Sequence, residues 1–513
     1  MHPFSFSRRH FLRGGASFLA TALLGRAMAG GAAPDSYLNS NDTSDDPLFM
    51  SATKLAGLIR TRKLSATEAV KAHVARIEAV NPRINAVVAK CFERALREAA
   101  EADALLAQGK LRGPLHGVPM TIKDSFDTEG VVSSAGTLGR KNFIPDRDAT
   151  VVARARAAGA ILLGKTNTPE FTLGVGARGT DNLVYGLTRN PYHPDYQPGA
   201  SSGGAAAIVA AGGASFDIGS DVYGSIRDPA HACGVAGLKP THGRCPRTGH
   251  IIGYGGAFDS FQGVGPLARR VEDLALLLPV IAGPDQRDAA LQPVPLSDPS
   301  AIAWKGLRMA FYPTNGENDP SAEIQAMVRR CAGYFEELGC RVTEDMPPKM
   351  SELVEVRGAY SGATGGLLIR SLLAKSGTTQ PYPALIHAGK EASSAEFTRL
   401  AEELDAIKSE QLAWFERYDL ILCPASVRAA LPLDREVPPP PTTPGRKRRS
   451  PYYLGIYNAN GWPAGVVRAG TSADDPGLPL GVQIVAQPWR DHLVIAALAQ
   501  IESRTGGYRK PNL

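Results

Sequence analysis

Gly199-Ala200-Ser201-Ser202-Gly203-Gly204 runs straight into Ala205-Ala206-Ala207-Ile208-Val209-Ala210-Ala211. The second half is a strong helix former, so the first half is a loop that feeds a helix N-terminus. Such a terminus presents backbone N–H groups without partners inside the helix and favours nearby negative charge. A phosphate loop would end in Gly-Lys-Ser/Thr, and this run does not. Further on, Gly219-Ser220-Asp221-Val222-Tyr223-Gly224-Ser225-Ile226-Arg227 is a second turn of glycine and serine. Upstream, Lys123 closes the β-like run Pro119-Met120-Thr121-Ile122. The three segments hold serines and a lysine but no histidine. A serine needs a base to become a nucleophile, and a lysine kept neutral by burial is the candidate when histidine is absent. A turn that exposes a hydroxyl while aligning successive N–H groups suits acyl transfer, because those groups hold the developing oxyanion.

Outward from these segments, short apolar runs alternate with helix-length patterns. The runs are 119–122, 160–163, 307–311, 420–422 and 480–485; the helical patterns include 322–337 and 394–416. A helix opens at Ser65, where Glu68 completes a capping box and Val70, Val74 and Ile77 follow at helical spacing. Strands alternating with helices predict an α/β protein with a largely buried central sheet. A formal GxGxxG at Gly174, Gly176 and Gly179 has no clear strand before it or helix after it, so it does not read as a nucleotide site. Residues 426–450 form a long proline-rich loop, and such loops often border binding sites.

The N-terminus reads as a targeting segment. Ser7-Arg8-Arg9-His10-Phe11-Leu12-Arg13 precedes the short apolar run Phe18 to Leu24, and Ala27-Met28-Ala29 offers a cleavage site. This order suggests a twin-arginine signal over 1–29, a flexible leader over 30–46 and the folded chain over 47–513. The expected location is periplasmic or secreted, and no segment reaches the ~20 apolar residues needed to span a bilayer. Loss of residues 1–29 would remove four arginines and no acids, taking the 56 basic residues to 52 against 50 acidic ones. That near balance gives no support to nucleic-acid binding. Arg446-Lys447-Arg448-Arg449, just after the prolines 438–441, reads as a solvated surface loop. The six cysteines form no CxxC pair and the histidines no HExxH, so neither zinc nor any other cofactor is expected.

Taken together, the three segments resemble the amidase signature family, whose members hydrolyse carboxylic amides with a Ser–cis-Ser–Lys triad. The resemblance extends from about residue 50 to the C-terminus. It includes Leu115-His116-Gly117-Val118-Pro119, Gly164-Lys165-Thr166-Asn167, Arg189-Asn190-Pro191, Cys233 to Thr241, Asn460-Gly461-Trp462-Pro463-Ala464 and Gly477 to Gln483. It implies a single large α/β domain with a central mixed β-sheet flanked by helices. It also implies roles: Ser225 as nucleophile, Ser201 as the bridging cis-serine and Lys123 as base. The backbone N–H groups of Val222, Tyr223, Gly224 and Ser225 would form the oxyanion hole, with Ser202, Asp221 and Arg227 holding the loops. Lys123 must then be neutral, with its pKa brought well below ~10.4 by burial. The family usually has glycine at Tyr223 and at Ala200. Tyrosine keeps its N–H but takes positive φ less cheaply than glycine, and its ring is expected near the acyl pocket.

The implied partner is a small-molecule amide, with room for a homodimer. A carboxylesterase of the same mechanism is the chemical near neighbour, and an inactive exported binding protein on this scaffold is the alternative from another class. The family also includes the glutamine amidotransferase subunit that corrects mischarged tRNA; it works in the cytoplasm with protein partners, against which an export signal argues. Segments 125–135, 172–188 and 426–462 are expected to line the pocket. The residues do not specify which amide is cleaved.

Overall fold

The computed structural model describes residues 40, 42–385, 390–434, 453–475 and 477–513. The signal segment 1–29, most of the 30–46 leader, the prolines 438–441 and the basic run 446–449 lie outside the described residues.

Eleven strands among the described residues form one mixed sheet. In chain order they are β1 (Val87–Lys90), β2 (Pro119–Lys123), β3 (Ile161–Thr166), β4 (Phe216–Asp221), β5 (Ala236–Lys239), β6 (Gly263–Ala268), β7 (Arg308–Phe311), β8 (Arg341–Glu344), β9 (Leu420–Pro424), β10 (Ala464–Thr471) and β11 (Pro479–Ala486). Their spatial order is β1-β3-β2-β4-β6-β5-β10-β11-β9-β7-β8. The single large domain and its mixed sheet match the expectation. All five apolar runs are strands, now β2, β3, β7, β9 and β11, and the pattern at 322–337 is the helix Ala322–Glu337. Strands β1, β4, β5, β6, β8 and β10 were not read from sequence. Several of these carry glycine or charge, as in Phe216-Asp217-Ile218-Gly219-Ser220-Asp221, and pairing rather than propensity makes them strands.

Burial follows position in the sheet. Residues of β2, β3, β4, β6, β9 and β11 are buried throughout, as expected for strands covered by helices on both faces. At the edge, β8 is largely exposed. The helix Gly203–Ala210 is buried on every side, which explains its run of alanines: small side chains let it lie close to the strands. Helix Ala66–Ile84 starts where the sequence places it, with the Ser65–Glu68 capping box formed. A second apolar cluster gathers Val222, Phe261, Leu353, Leu404, Trp414, Tyr457 and Trp462. It packs the helices Met350–Gly362 and Ser394–Phe415 against the turn that follows β4. Among the described residues no helix is long and apolar enough to cross a membrane.

One topological fact positions the site. Strands β2 and β4 are parallel neighbours, so their C-terminal ends, Lys123 and Asp221, emerge at the same edge of the sheet. Ligands of α/β proteins commonly bind at such an edge.

Candidate active site

Lys123, the last residue of β2, is fully buried. Its Nζ lies 2.7 Å from Ser201 Oγ, 3.1 Å from Ser220 Oγ and 3.4 Å from the Ser220 carbonyl. Burial pushes its pKa down to about 7, against the opposing pull of the Asp221 and Asp217 carboxylates. Near neutral pH much of Lys123 is therefore an amine, able to accept the Ser201 proton.

Ser201 lies in the loop before the helix Gly203–Ala210, and the Ala200–Ser201 peptide is cis. The Ala200 N–H donates to Asp228 Oδ2 at 2.9 Å. Gly199 takes φ +76°, and a Cβ there would stand 2.7 Å from Pro229, so this corner is reserved for glycine. Ala200 is not among the described residues with positive φ, and its methyl group needs no unusual conformation.

Beyond β4 the chain turns at Val222–Ile226 into the helix Arg227–Ala232. Asp221 organises this turn. Its Oδ1 accepts from the Gly224 N–H at 2.7 Å and its Oδ2 from the Ile226 N–H at 3.1 Å. Arg227 pairs with both oxygens of Asp221 at 3.0 Å. Burial works to raise the Asp221 pKa, but the charge and hydrogen bonds of Arg227 outweigh it and hold the carboxyl well below the usual range. Ser202 ties the serine loop to the turn, its N–H donating to the Ser225 carbonyl at 3.0 Å and its hydroxyl to the Ser220 carbonyl at 3.3 Å. The structure thus brings Lys123, Ser201, Ser202, Asp221, Ser225 and Arg227 to one place.

Two expectations change. The Gly224 N–H is taken by Asp221, so the donors of this turn without a partner among the described residues are those of Val222, Tyr223 and Ser225. The positive φ of the turn falls on Gly224 (+109°), where a Cβ would stand 2.6 Å from Leu454, and not on Tyr223. Tyrosine therefore fits the backbone without strain. Among the described residues the Ser225 hydroxyl has no hydrogen-bond partner, so the link from Ser225 to Ser201 is not closed. Catalytic hydrogen bonds often tighten only once substrate is bound.

Other residues of the site escaped the sequence reading. Asn458 Nδ2 donates to Asp221 Oδ1 at 2.9 Å and its Oδ1 accepts from Arg227 at 2.7 Å. Gln483 Oε1 accepts from Arg227 at 2.6 Å. A glutamine amid the apolar residues of β11 was a signal, because a buried amide must find partners. Segment 426–462 reaches the site through residues 453–462, since Leu454 packs on Gly224 and its carbonyl accepts from Arg227; residues 435–452 lie outside the described residues. From segment 125–135, the Ser125 carbonyl accepts from the Ile251 N–H, and the Phe126 ring packs at a tilt against the buried His250, with centroids 4.8 Å apart. Gly176 and Gly179, of the apparent nucleotide motif, pair only with each other as an isolated bridge.

The site thus sets a buried lysine on a parallel strand against a serine in a glycine loop, beside a second serine turn, within an α/β fold. The Amidase family model matches residues 68–495, and the chain belongs to that family. It is 34% identical to one subunit of the glutamyl-tRNA(Gln) amidotransferase of Moorella thermoacetica, over 90% of this chain and 98% of that one. It is 35% identical to the indoleacetamide hydrolase of Bradyrhizobium diazoefficiens, over 89% and 86% of the two chains. Among solved structures, 6-aminohexanoate cyclic dimer hydrolase superposes with a TM-score of 0.77 at 29% identity, covering 91% of this chain and 99% of that one. Action on amide C–N bonds is the chemistry these relationships support.

Proposed function

We propose that this chain hydrolyses a carboxylic amide through an acyl-enzyme on Ser225. The observation that carries the reading is the 2.7 Å pair of Ser201 with Lys123, whose pKa burial lowers to about 7. Ser225 Oγ attacks the amide carbonyl; its proton passes to Ser201, and the Ser201 proton to the Lys123 amine. The carbonyl oxygen takes up negative charge toward the free N–H groups of Val222, Tyr223 and Ser225. On collapse the C–N bond breaks, and the nitrogen leaves with the proton returned from Lys123 through Ser201. Water then attacks the acyl-enzyme by the same route, releasing the acid and restoring Ser225.

The test is a fluorophosphonate probe followed by a panel of amides. Labelling at Ser225, lost together with amide turnover in Ser225→Ala, is the expected result. Wild-type turnover in purified Ser225→Ala would overturn the proposal. An ester panel run in parallel measures the carboxylesterase activity that the same acyl-enzyme allows. Likeness to a component of an amidotransferase favours one second reading, in which the ammonia released is passed to another site. Full amide hydrolysis by the isolated chain, with no added protein, excludes a requirement for that assembly.

Export by a twin-arginine signal over residues 1–29 remains part of the proposal, supported by the order of Arg8-Arg9, the apolar run and Ala27-Met28-Ala29. N-terminal sequencing of the protein from a periplasmic fraction is expected to start near residue 30. A chain found only in the cytoplasm with its N-terminus intact would reject export.

A further inference from the structure

Tyr223 lies against a group that no motif singled out. Arg357 belongs to the buried stripe of the helix Met350–Gly362, with Met350, Leu353, Val356 and Ser361, where a side chain facing a core is normally apolar. The arginine is fully buried. Its guanidinium carbon is 3.4 Å from the centroid of the Tyr223 ring and 4.5 Å from that of Phe261. Nη2 donates to the Val222 carbonyl at 2.7 Å, while Nε and Nη1 have no partner among the described residues. Burial lowers its pKa to about 10, which leaves it charged at neutral pH. A buried cation with two idle donors is costly unless local dipoles or a developing anion compensate it.

The geometry of a peptide unit shows where that charge acts. The Val222 carbonyl and the Tyr223 N–H belong to the same peptide, which is trans. In a trans peptide the C=O and N–H point in opposite directions. A carbonyl pinned toward Arg357 therefore aims the Tyr223 N–H away from it. A charged donor on the oxygen also draws electron density across the amide and makes that N–H a stronger donor. The Tyr223 N–H is one of the three donors in the turn without a partner among the described residues.

We infer that Arg357 is a positioning residue for the oxyanion: it fixes and polarises the Val222–Tyr223 peptide, so that the Tyr223 N–H is held ready for the charge that forms on the substrate carbonyl. The stacked Tyr223 ring keeps the guanidinium flat against the turn, which a glycine at that position could not do. This inference rests on the proposed roles of Ser225 and the turn, and the experiment separates the two. Wild-type protein and Ser225→Ala are assayed first on one amide; if Ser225→Ala is as active as wild type, the reading of the site fails as a whole.

With that reading secured, Arg357→Met and Arg357→Lys are compared with wild type after thermal melts establish that each is folded. For Arg357→Met the expected result is a fall in kcat of about tenfold to a hundredfold, by comparison with loss of a whole oxyanion donor. KM should change by less than about threefold, because the interaction strengthens only in the transition state. Affinity for a boronic acid that forms a tetrahedral adduct on Ser225 should fall in step with kcat, while binding of the product acid stays unchanged. Arg357→Lys, which keeps the charge but not the flat fork, should lie between the two, and it carries the test if the methionine variant does not fold. Three results would overturn the inference: wild-type kcat in a folded variant, lost kcat with unchanged boronate affinity, or a KM rise confined to amides bearing a carboxylate. The last would make Arg357 a subsite for an anionic acyl group instead.

Discussion

Lys123 and Lys165 stand on adjacent parallel strands, with Ile122 opposite Lys165 and Lys123 opposite Thr166. Both are fully buried, and burial lowers both, to about 7 and about 8. Their partners differ. Lys165 Nζ donates to the Phe126 carbonyl, to Thr128 Oγ1 at 2.7 Å and to Ser133 Oγ at 3.2 Å. The Thr128 and Ser133 hydroxyls give their own protons to the Phe126 and Val131 carbonyls, at 3.2 and 3.1 Å, so all three groups accept from Lys165, as an ammonium requires. Lys123 faces two hydroxyls and one carbonyl at 3.4 Å. Among the described residues neither of these hydroxyls donates elsewhere, so each can donate in return to a neutral amine. Burial supplies the shift in both lysines; the partners decide which of them can act as a base.

The largest expected effect breaks this pair apart. Lys123→Ala should lower amide turnover by on the order of 10⁴-fold or more, since members of a relay act as a unit. Lys165→Met should leave turnover of the folded protein within about tenfold. Its cost should appear in stability instead, roughly 2–4 kcal/mol in a urea melt, because a buried carbonyl and two hydroxyls lose their donor. If folded Lys165→Met were as inactive as Lys123→Ala, the contrast drawn from the partners would be wrong.

A second effect concerns the frame that holds the turn. Arg227→Met leaves Asp221 buried without its cation, and such a break costs about 3–5 kcal/mol. Denaturant unfolding of this variant should show that loss, together with weaker fluorophosphonate labelling at Ser225 as the turn loosens. An unchanged midpoint would mean that Asn458 and the backbone N–H groups hold Asp221 unaided.

The sheet's chemistry was more legible than its extent. Lys123, Ser201 and Ser225 stood out because their segments combine reactive side chains with glycine, a local signal. Strand β2 was legible as an unbroken apolar run. Strand β4 was not, because Asp217, Gly219 and Ser220 disfavour strands locally and are buried only through their neighbours. Arg357 and Asn458 were invisible for a related reason. Each comes from a distant part of the chain, and nothing in Val356-Arg357-Gly358 or Tyr457-Asn458-Ala459 announces the turn it meets. The resemblance implied four N–H groups for the oxyanion, and in the fold the Asp221 carboxylate turns back onto that of Gly224.

The smallest effect returns to the two lysines through the carboxylate beneath them. Asp217 accepts from Thr121 at 2.6 Å and Thr166 at 3.1 Å, while its Oδ1 has no partner among the described residues. Burial raises its pKa to about 7, partly opposed by the two threonines and the charges of Lys123 and Lys165. Only a neutral Lys123 can act as base, so kcat/KM in wild type should rise with pH along a limb centred near 7. Negative charge on Asp217 favours protonated Lys123 and so holds that limb up. Asp217→Asn keeps an oxygen for the two threonines and removes the charge, so the limb should move to lower pH by up to about one unit, with the plateau unchanged. A limb that does not move in Asp217→Asn would show that Asp217 carries its proton across this range, leaving Asp221 as the carboxylate that opposes the burial of Lys123.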